Sequence, residues 1–338
     1  MKTLFLGSGP FGLPALERLA KRGSDLAVGT VPDAPRGRRG KLEPTVIKAR
    51  ALELGLPVHE VASLKGSKGP AFLDEVGGDL VITCDFRLIL GKKFLAAPTR
   101  GCFNLHGSLL PAYRGAAPVA RGVLAGDREF GITLYRMVFA LDAGPIVAMN
   151  RYTPEEPLDT GTLEEILSQR AADLLDEWID ILETGDVPLE EQDATIATFA
   201  PKLEKAEGWI DWRVSAAVIE RQVRGMKPWP RAFTHWGEPP TGDEPAGKTP
   251  EAIRVFVDRA TLLEATAAVS PAAVATPGSV RQASADGIDV ACGDGTETIR
   301  LLQLQRAGKK SLAAADFLRG FSTENGRFLE PPPPRPPA

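Results

Sequence analysis

Residues 101–145 read GCFNLHGSLLPAYRGAAPVARGVLAGDREFGITLYRMVFALDAGP, and this stretch decides how the rest of the chain is read. Cys102 and Phe103 belong to an apolar lead that reads as the end of a strand, with Asn104 and His106 at its mouth. Side chains alternate along a strand, so residues 104 and 106 share one face. Residues 107–111 turn the chain away, 115–125 read as a short helix, and 131–138 as a second strand. The turn that follows carries Asp142 in Leu141-Asp142-Ala143-Gly144. Taken singly, each polar residue has an ordinary explanation, since His after a strand and Asn or Asp at a turn commonly satisfy local hydrogen bonds. Together at strand ends, an amide, an imidazole and a carboxylate are the parts of a proton-transfer site.

Working outward, 338 residues exceed one typical domain and predict two. With 43% hydrophobic and 25% charged residues, the chain can fill ordinary globular cores. No apolar run reaches the length of a membrane span, and residues 2–7 read as a first strand rather than a leader. Cys84, Cys102 and Cys292 form no CxxC pair and sit in apolar runs, which predicts buried thiols in a reducing cytoplasm. With only three histidines beside them, no zinc cage and no other metal site is expected. The net charge of −4 does not suggest a nucleic-acid partner, but local clustering matters more than the total.

Strands at 2–7, 25–31, 57–61 and 80–84 alternate with helices at 10–22, from 45, and at 69–75. That alternation predicts an α/β fold, a doubly wound, Rossmann-like parallel sheet, with ligands beyond the carboxyl ends of its strands. Gly7-Ser8-Gly9-Pro10-Phe11-Gly12 matches the GxGxxG dinucleotide fingerprint between a strand and a helix, with Asp33 available for a ribose. The plainer reading is a tight glycine turn packing the first helix onto the sheet. Residues 36–50 hold Arg36, Arg38, Arg39, Lys41, Lys48 and Arg50 against one acid, Glu43, and read as a mobile basic loop running into a helix. A strand at 146–152 precedes a long amphipathic helix at 160–184, stopped by Gly185. Residues 188–207 read as a linker. From 208 to 325, short strands separated by glycine turns predict a small barrel of the OB-like kind. Segments 238–251 and 264–278 read as insertions, and 326–338, with PPPPRPPA, as a disordered tail.

The run His106-Gly107-Ser108-Leu109-Leu110-Pro111-Ala112-Tyr113-Arg114-Gly115-Ala116-Ala117-Pro118, with Asn104 before it and Leu-Asp-Ala-Gly after it, resembles the signature of the folate-dependent formyltransferases. It is most similar to those that act on methionyl-tRNA. The second half carries the same likeness in Ile210-Asp211-Trp212, in Arg-x-Met-x-Pro-Trp-Pro from Arg224, in Gly293-Asp294-Gly295, and in Gln-x-Ala-Gly-Lys-Lys from Gln305.

The resemblance implies formyl transfer from 10-formyltetrahydrofolate to the amine of methionyl-initiator tRNA, without a metal or covalent intermediate. Asn104 would stabilise the oxyanion, His106 would shuttle protons, and Asp142 would orient the imidazole. Ser108, Leu109, Leu110, Pro111, Phe86 and Leu88 would line the folate pocket. Arg36, Arg38, Arg39 and Lys41 on the first basic loop, with Arg221, Arg224, Lys309 and Lys310 further on, would meet tRNA. The chain would act as a monomer. Two departures stand out. Where the family has Ala-Tyr-Gly, this chain has Asp85-Phe86-Arg87, whose charges either pair with each other or alter the pterin pocket. Where the family has Leu-Asp-Thr-Gly-Asp, residues 141–145 keep Asp142 and lose the hydroxyl and the second acid. The other readings are a formyltransferase for a different amine, such as an amino sugar nucleotide, and an NAD(P)-binding oxidoreductase or binding module using the GSGPFG turn.

Overall fold

The computed structural model describes residues 1–23, 25–36, 40–237, 252–263, 274–324 and 326–329. They divide into two units. The first comprises Met1–Val119, Arg128–Pro157 and Thr162–Lys202, and the second Ala120–Asp127, Leu158–Gly161 and the chain from Leu203.

The first unit is built on a seven-stranded sheet in the order Ile146–Tyr152, Phe130–Arg136, Gly101–His106, Leu80–Cys84, Lys2–Gly7, Asp25–Thr30, Val58–Glu60. The last five of these run parallel, as the alternation predicts. Leu4, Phe5, Leu6, Val81 and Ile82 have no exposure, as befits strands covered on both faces. The other edge departs from the all-parallel expectation: Phe130–Arg136 is antiparallel to both neighbours. The turn joining it to Ile146–Tyr152 is too short for the crossover that parallel neighbours require. The long helix Thr160–Thr184 buries Leu163, Leu167, Ala171, Leu174 and Leu175, the stripe its spacing predicts.

Four local expectations are corrected. The basic segment is partly a hairpin, Ala34–Arg36 pairing with Lys41–Glu43. The helix placed at 115–125 begins only at Pro118, because Arg114–Gly115 forms a short parallel ladder with Phe199–Ala200. Residues 188–207 are therefore more than a linker, since Phe199–Ala200 pairs back onto the first unit. The tail placed at 326–338 begins too early: Arg327–Leu329 pairs with Phe233–Gly237, and Phe328 is fully buried. An aromatic edge strand gains more from burial than the neighbouring prolines suggest. Residues 331–338 of the proline-rich end, and most of the two insertions, lie outside the described residues.

The second unit is an antiparallel half-barrel ordered Val280–Ser284, Gly287–Cys292, Glu297–Arg306, Ile253–Leu262, Phe233–Gly237, Arg327–Leu329, with Leu312–Ala313 alongside Glu297–Arg306. Helix Ala216–Gly225 closes its core with Ile219 and Val223. Ser215 stands at the N-cap, yet its side chain makes no capping bond; the Ala216 N–H is held by Glu297 Oε2 at 2.9 Å. Ile210 and Trp212 are fully buried here, Trp212 stacked on Phe328 and donating to Thr234 Oγ1. No helix among the described residues is long and apolar enough to cross a membrane.

Candidate active site

Asn104 and His106 end the Gly101–His106 strand, and antiparallel pairing sets Tyr135 opposite Asn104 and Thr133 opposite His106. Asp142 comes from the turn after Phe130–Arg136, with φ of +46°. That left-handed backbone costs a non-glycine residue about 1–2 kcal/mol. It is held by Gln192, whose Nε2 donates to the carbonyls of Asp142 at 2.9 Å and Gly144 at 2.6 Å. Arg114, buried, grips the other end of the Gln192 amide.

The three side chains meet in one network. Thr83 Oγ1 donates to Asn104 Oδ1 at 2.6 Å, so the amide NH2 faces the other way, toward Tyr135 Oη at 3.4 Å. Tyr135 donates to Asp142 Oδ1 at 2.7 Å, and the Gly115 N–H to Asp142 Oδ2 at 2.8 Å. Burial, with the Asp142 charge and hydrogen bond behind it, pushes the Tyr135 hydroxyl well above its usual range, so it stays a donor. Gly115, at φ +132°, lies so close to the Ala200 carbonyl that a Cβ there would collide with it.

His106 is buried, and its Nε2 lies 2.9 Å from the Tyr113 carbonyl. A carbonyl only accepts, so Nε2 carries the hydrogen and Nδ1 is the nitrogen that can take a proton. Nδ1 faces Asp142 Oδ2 at 3.8 Å. The arrangement can remove a proton at Nδ1, set a carboxylate beside the charge so created, and offer a fixed amide donor. Tyr135, Thr83, Gln192 and Arg114 were not singled out from sequence. Tyr135 sits in an ordinary strand pattern, and only the pairing partner reveals its part.

The proposed folate-pocket residues lie on the same unit. Ser108 Oγ donates to the Ala112 carbonyl, and the Leu110 N–H to Thr133 Oγ1, which itself donates to the Ser108 carbonyl. These bonds fix the 108–111 loop over the Phe130–Arg136 strand. Leu110 is buried and Leu109 half-buried. Phe86 and Leu88 are partly buried against the first core, as is Met137, whose Sδ lies 3.3 Å from Thr83 Oγ1. Thr83 thus stands between the Met137 thioether and the Asn104 amide.

The strands Lys2–Gly7 and Leu80–Cys84 are neighbours from which the chain departs in opposite directions, so the ligand crevice of a doubly wound sheet opens between them. Here that crevice is closed to a dinucleotide phosphate. The Asp85 carbonyl takes the Ser8 and Gly9 N–H groups, and its carboxylate takes the Phe11 N–H. A Cβ on Gly9 would overlap that carboxylate. The amides that would cradle a pyrophosphate are satisfied internally. Asp33, the residue available for a ribose, pairs with Lys48 at 2.7 Å. Burial pushes the Asp85 carboxyl up, and the nearby Arg87 charge offsets part of that rise.

Asp85 has an acidic neighbour in Glu164. Burial first, and the Asp85 charge second, hold the Glu164 carboxyl up to about 7. The folded chain thus keeps this proton where the unfolded chain has released it, and folded-state stability falls as pH climbs from 4.5 toward about 7. Glu164→Gln, which cannot ionise, is expected to add about 1–3 kcal/mol at pH 8 and far less near pH 4. Urea unfolding at both pH values measures it, and an equal effect at both would contradict the assignment.

The cations expected to meet RNA are unevenly placed. Lys41 is exposed on the hairpin; the Arg36 side chain, Arg38 and Arg39 lie outside the described residues. Lys48 is engaged by Asp33 and Glu60, and Arg50 by Glu17 and Glu53. In the second unit Arg221 Nη1 donates to the Ala125 carbonyl at 3.2 Å. Arg224 pairs with Glu220 at 2.6 Å and donates to the Leu158 carbonyl at 2.8 Å. Both guanidiniums thus serve internal contacts, whereas Lys309 and Lys310 are exposed at a strand turn. Among the described residues no three His, Cys, Asp or Glu side chains are grouped to hold a metal ion.

Comparison with known proteins covers both units. Residues 1–179 match the family model for formyl transferase, and residues 202–322 that for the formyl transferase C-terminal domain. Among curated relatives, methionyl-tRNA formyltransferase of Ruegeria pomeroyi is 37% identical over 330 residues, covering 97% of this chain and 100% of that one. The protein of the same name from Geobacter metallireducens is 37% identical over 327 residues, 96% of this chain and 97% of that one. Among solved structures, the sugar 3N-formyl transferase WlaRD superposes with a TM-score of 0.60 at 13% identity, over 92% of this chain and 99% of that one. HypX from Aquifex aeolicus, in complex with tetrahydrofolic acid, gives 0.58 at 15% identity, over 94% of this chain and 47% of that one. At these identities the likeness to the two structures shows the fold alone.

Proposed function

The chain belongs to the formyl transferase family, and we propose that it transfers the formyl group of 10-formyltetrahydrofolate to the amine of methionyl-initiator tRNA, supporting translation initiation. The observation that carries this reading is full-length likeness to methionyl-tRNA formyltransferases combined with a single network joining Asn104, Tyr135, Asp142 and His106.

The methionyl nitrogen attacks the formyl carbon, a C–N bond forms, and the carbonyl electrons move onto oxygen. The Asn104 NH2, held by Thr83, is the donor for that oxyanion. The attacking nitrogen gives its proton to His106 Nδ1, and Asp142 stands beside the resulting cation. As the oxyanion collapses, the bond to folate N10 breaks and N10 takes up a proton. One proton is lost by the amine and one gained by the folate, so the step is balanced without any further reactant. The half-buried wall of Phe86, Leu88 and Met137 suits a flat pterin, with Leu109 and Leu110 across the loop.

For the tRNA, Arg36, Arg38, Arg39 and Lys41 of the first basic segment and Lys309 and Lys310 on the second unit supply phosphate contacts. Arg221 and Arg224 contribute by shaping that unit. A cytoplasmic monomer is the working form. The direct test supplies the folate and charged initiator tRNA and looks for formylmethionyl-tRNA; no product at high enzyme concentration rejects the reading. An amino sugar nucleotide as acceptor tests the competing one. Reversing Arg36, Arg38 and Arg39 to Glu is expected to raise KM for tRNA by about tenfold or more and flatten its salt dependence, with KM for the folate unchanged. Unaltered tRNA kinetics would remove the hairpin from the interface.

A further inference from the structure

Phe199 is 67% exposed and Ile196 63% exposed, in a segment whose backbone is otherwise firmly tied down. The Arg114 N–H donates to the Thr198 carbonyl at 2.9 Å, and the Ala116 N–H to the Ala200 carbonyl at 2.9 Å. Thr198 N–H reaches the Pro111 carbonyl, and Thr198 Oγ1 accepts the Tyr113 N–H at 2.8 Å. These bonds attach Phe199 to the loop that supplies both the Tyr113 carbonyl to His106 and the Gly115 N–H to Asp142. The backbone that carries this exposed ring is thereby fixed, one strand over from the segment that holds the reacting groups. Exposed rings are common on protein surfaces; what singles this one out is its attachment to the segment that holds His106 and Asp142.

We propose that Phe199 is the stacking platform for the 3′-terminal adenine of the charged tRNA. This rests on the formyl-transfer reading above. Phe199 pairs with Arg114 at one strand spacing, about 4.8 Å, and the next residue, Gly115, donates to Asp142 Oδ2 at 2.8 Å, so the Phe199 backbone lies within roughly 10 Å of the Asp142 carboxylate. In an aminoacyl-tRNA about seven bonds separate the amino nitrogen from the terminal base, a reach of roughly 8–10 Å. An amine placed against His106 Nδ1 and Asp142 Oδ2 therefore carries its adenine into the neighbourhood of Phe199. A base exposes a π-face whatever its hydrogen-bonding pattern, and an exposed aromatic side chain on a rigid loop is the usual partner for a single-stranded end. The folate needs none of this, because its proposed wall, Phe86, Leu88 and Met137, comes from other elements.

The test is kinetic and spectroscopic. Phe199→Ala is expected to raise KM for methionyl-tRNA by about 5- to 100-fold, with kcat and the KM for folate within twofold. Phe199→Trp and Phe199→Tyr restore the wild-type value, which a merely packing role would not produce. A short RNA ending in CC-2-aminopurine loses fluorescence on binding wild type and keeps it with Phe199→Ala. If wild type formylates tRNA and Phe199→Ala behaves the same, or if the variant shifts the folate KM instead, stacking is wrong and formyl transfer stands. If wild type formylates no tRNA, both fall.

Discussion

In the His106→Ala variant, kcat for formyl transfer falls by ~10²- to 10⁴-fold while folate binding is retained. The size follows from the lack of a substitute base. Asp142 is the nearest candidate, but its Oδ1 accepts from Tyr135 and its Oδ2 from the Gly115 N–H. A proton placed on either oxygen would remove the charge that strengthens those bonds. Tyr135, pushed well above its usual range by burial and by Asp142, holds its own proton. Single-turnover measurement with excess enzyme separates the chemical step from product release. Folate binding by calorimetry shows that the pocket is intact. A variant keeping a tenth or more of the wild-type rate would mean that the attacking amine loses its proton to solvent.

The second large effect is expected at Asn104. Asn104→Ala removes the donor aimed at the developing oxyanion and lowers kcat by ~10²- to 10³-fold. Asn104→Asp is the sharper variant. It keeps an oxygen to accept from Thr83 Oγ1, and so preserves the local bond. In place of the NH2, however, it offers a second acceptor. An oxygen facing an oxyanion repels it, so kcat is expected at or below the Ala value. Thr83→Val, which frees the amide to rotate without removing it, gives a smaller loss confined to kcat. Equal rates for Asn104→Asp and wild type would exclude the amide from the transition state.

The run from His106 to Pro118 made the family legible before any coordinates, and the period of the 160–184 helix placed its boundaries and buried face. Leu80–Cys84 and Ile146–Tyr152 were equally plain, because β-branched and apolar runs between turn residues have few alternatives. The short pieces were not legible. Arg114–Gly115 and Phe199–Ala200 are strands only because they find each other across most of a domain. Arg327–Leu329 is ordered because Phe328 fills the core of the second unit, against the tendency of the prolines that follow.

The same division holds at the site. Local pattern alone set Asn104 and His106 on one face of a strand, since period two is a property of extended backbone. It also determined that the glycine turn after the first strand is followed by a helix. Tertiary structure decided what that turn could hold: Asp85, brought beside Gly9 by the pairing of non-consecutive strands, occupies the amides that a dinucleotide would need. It decided too that Tyr135 links Asn104 to Asp142, and that Lys48 and Arg50 neutralise acids of their own unit. Short-range order depends on steric and hydrophobic rules that each segment carries within itself. Which charges remain unsatisfied, and which residues become neighbours, depends on distances that exist only once the chain has closed on itself.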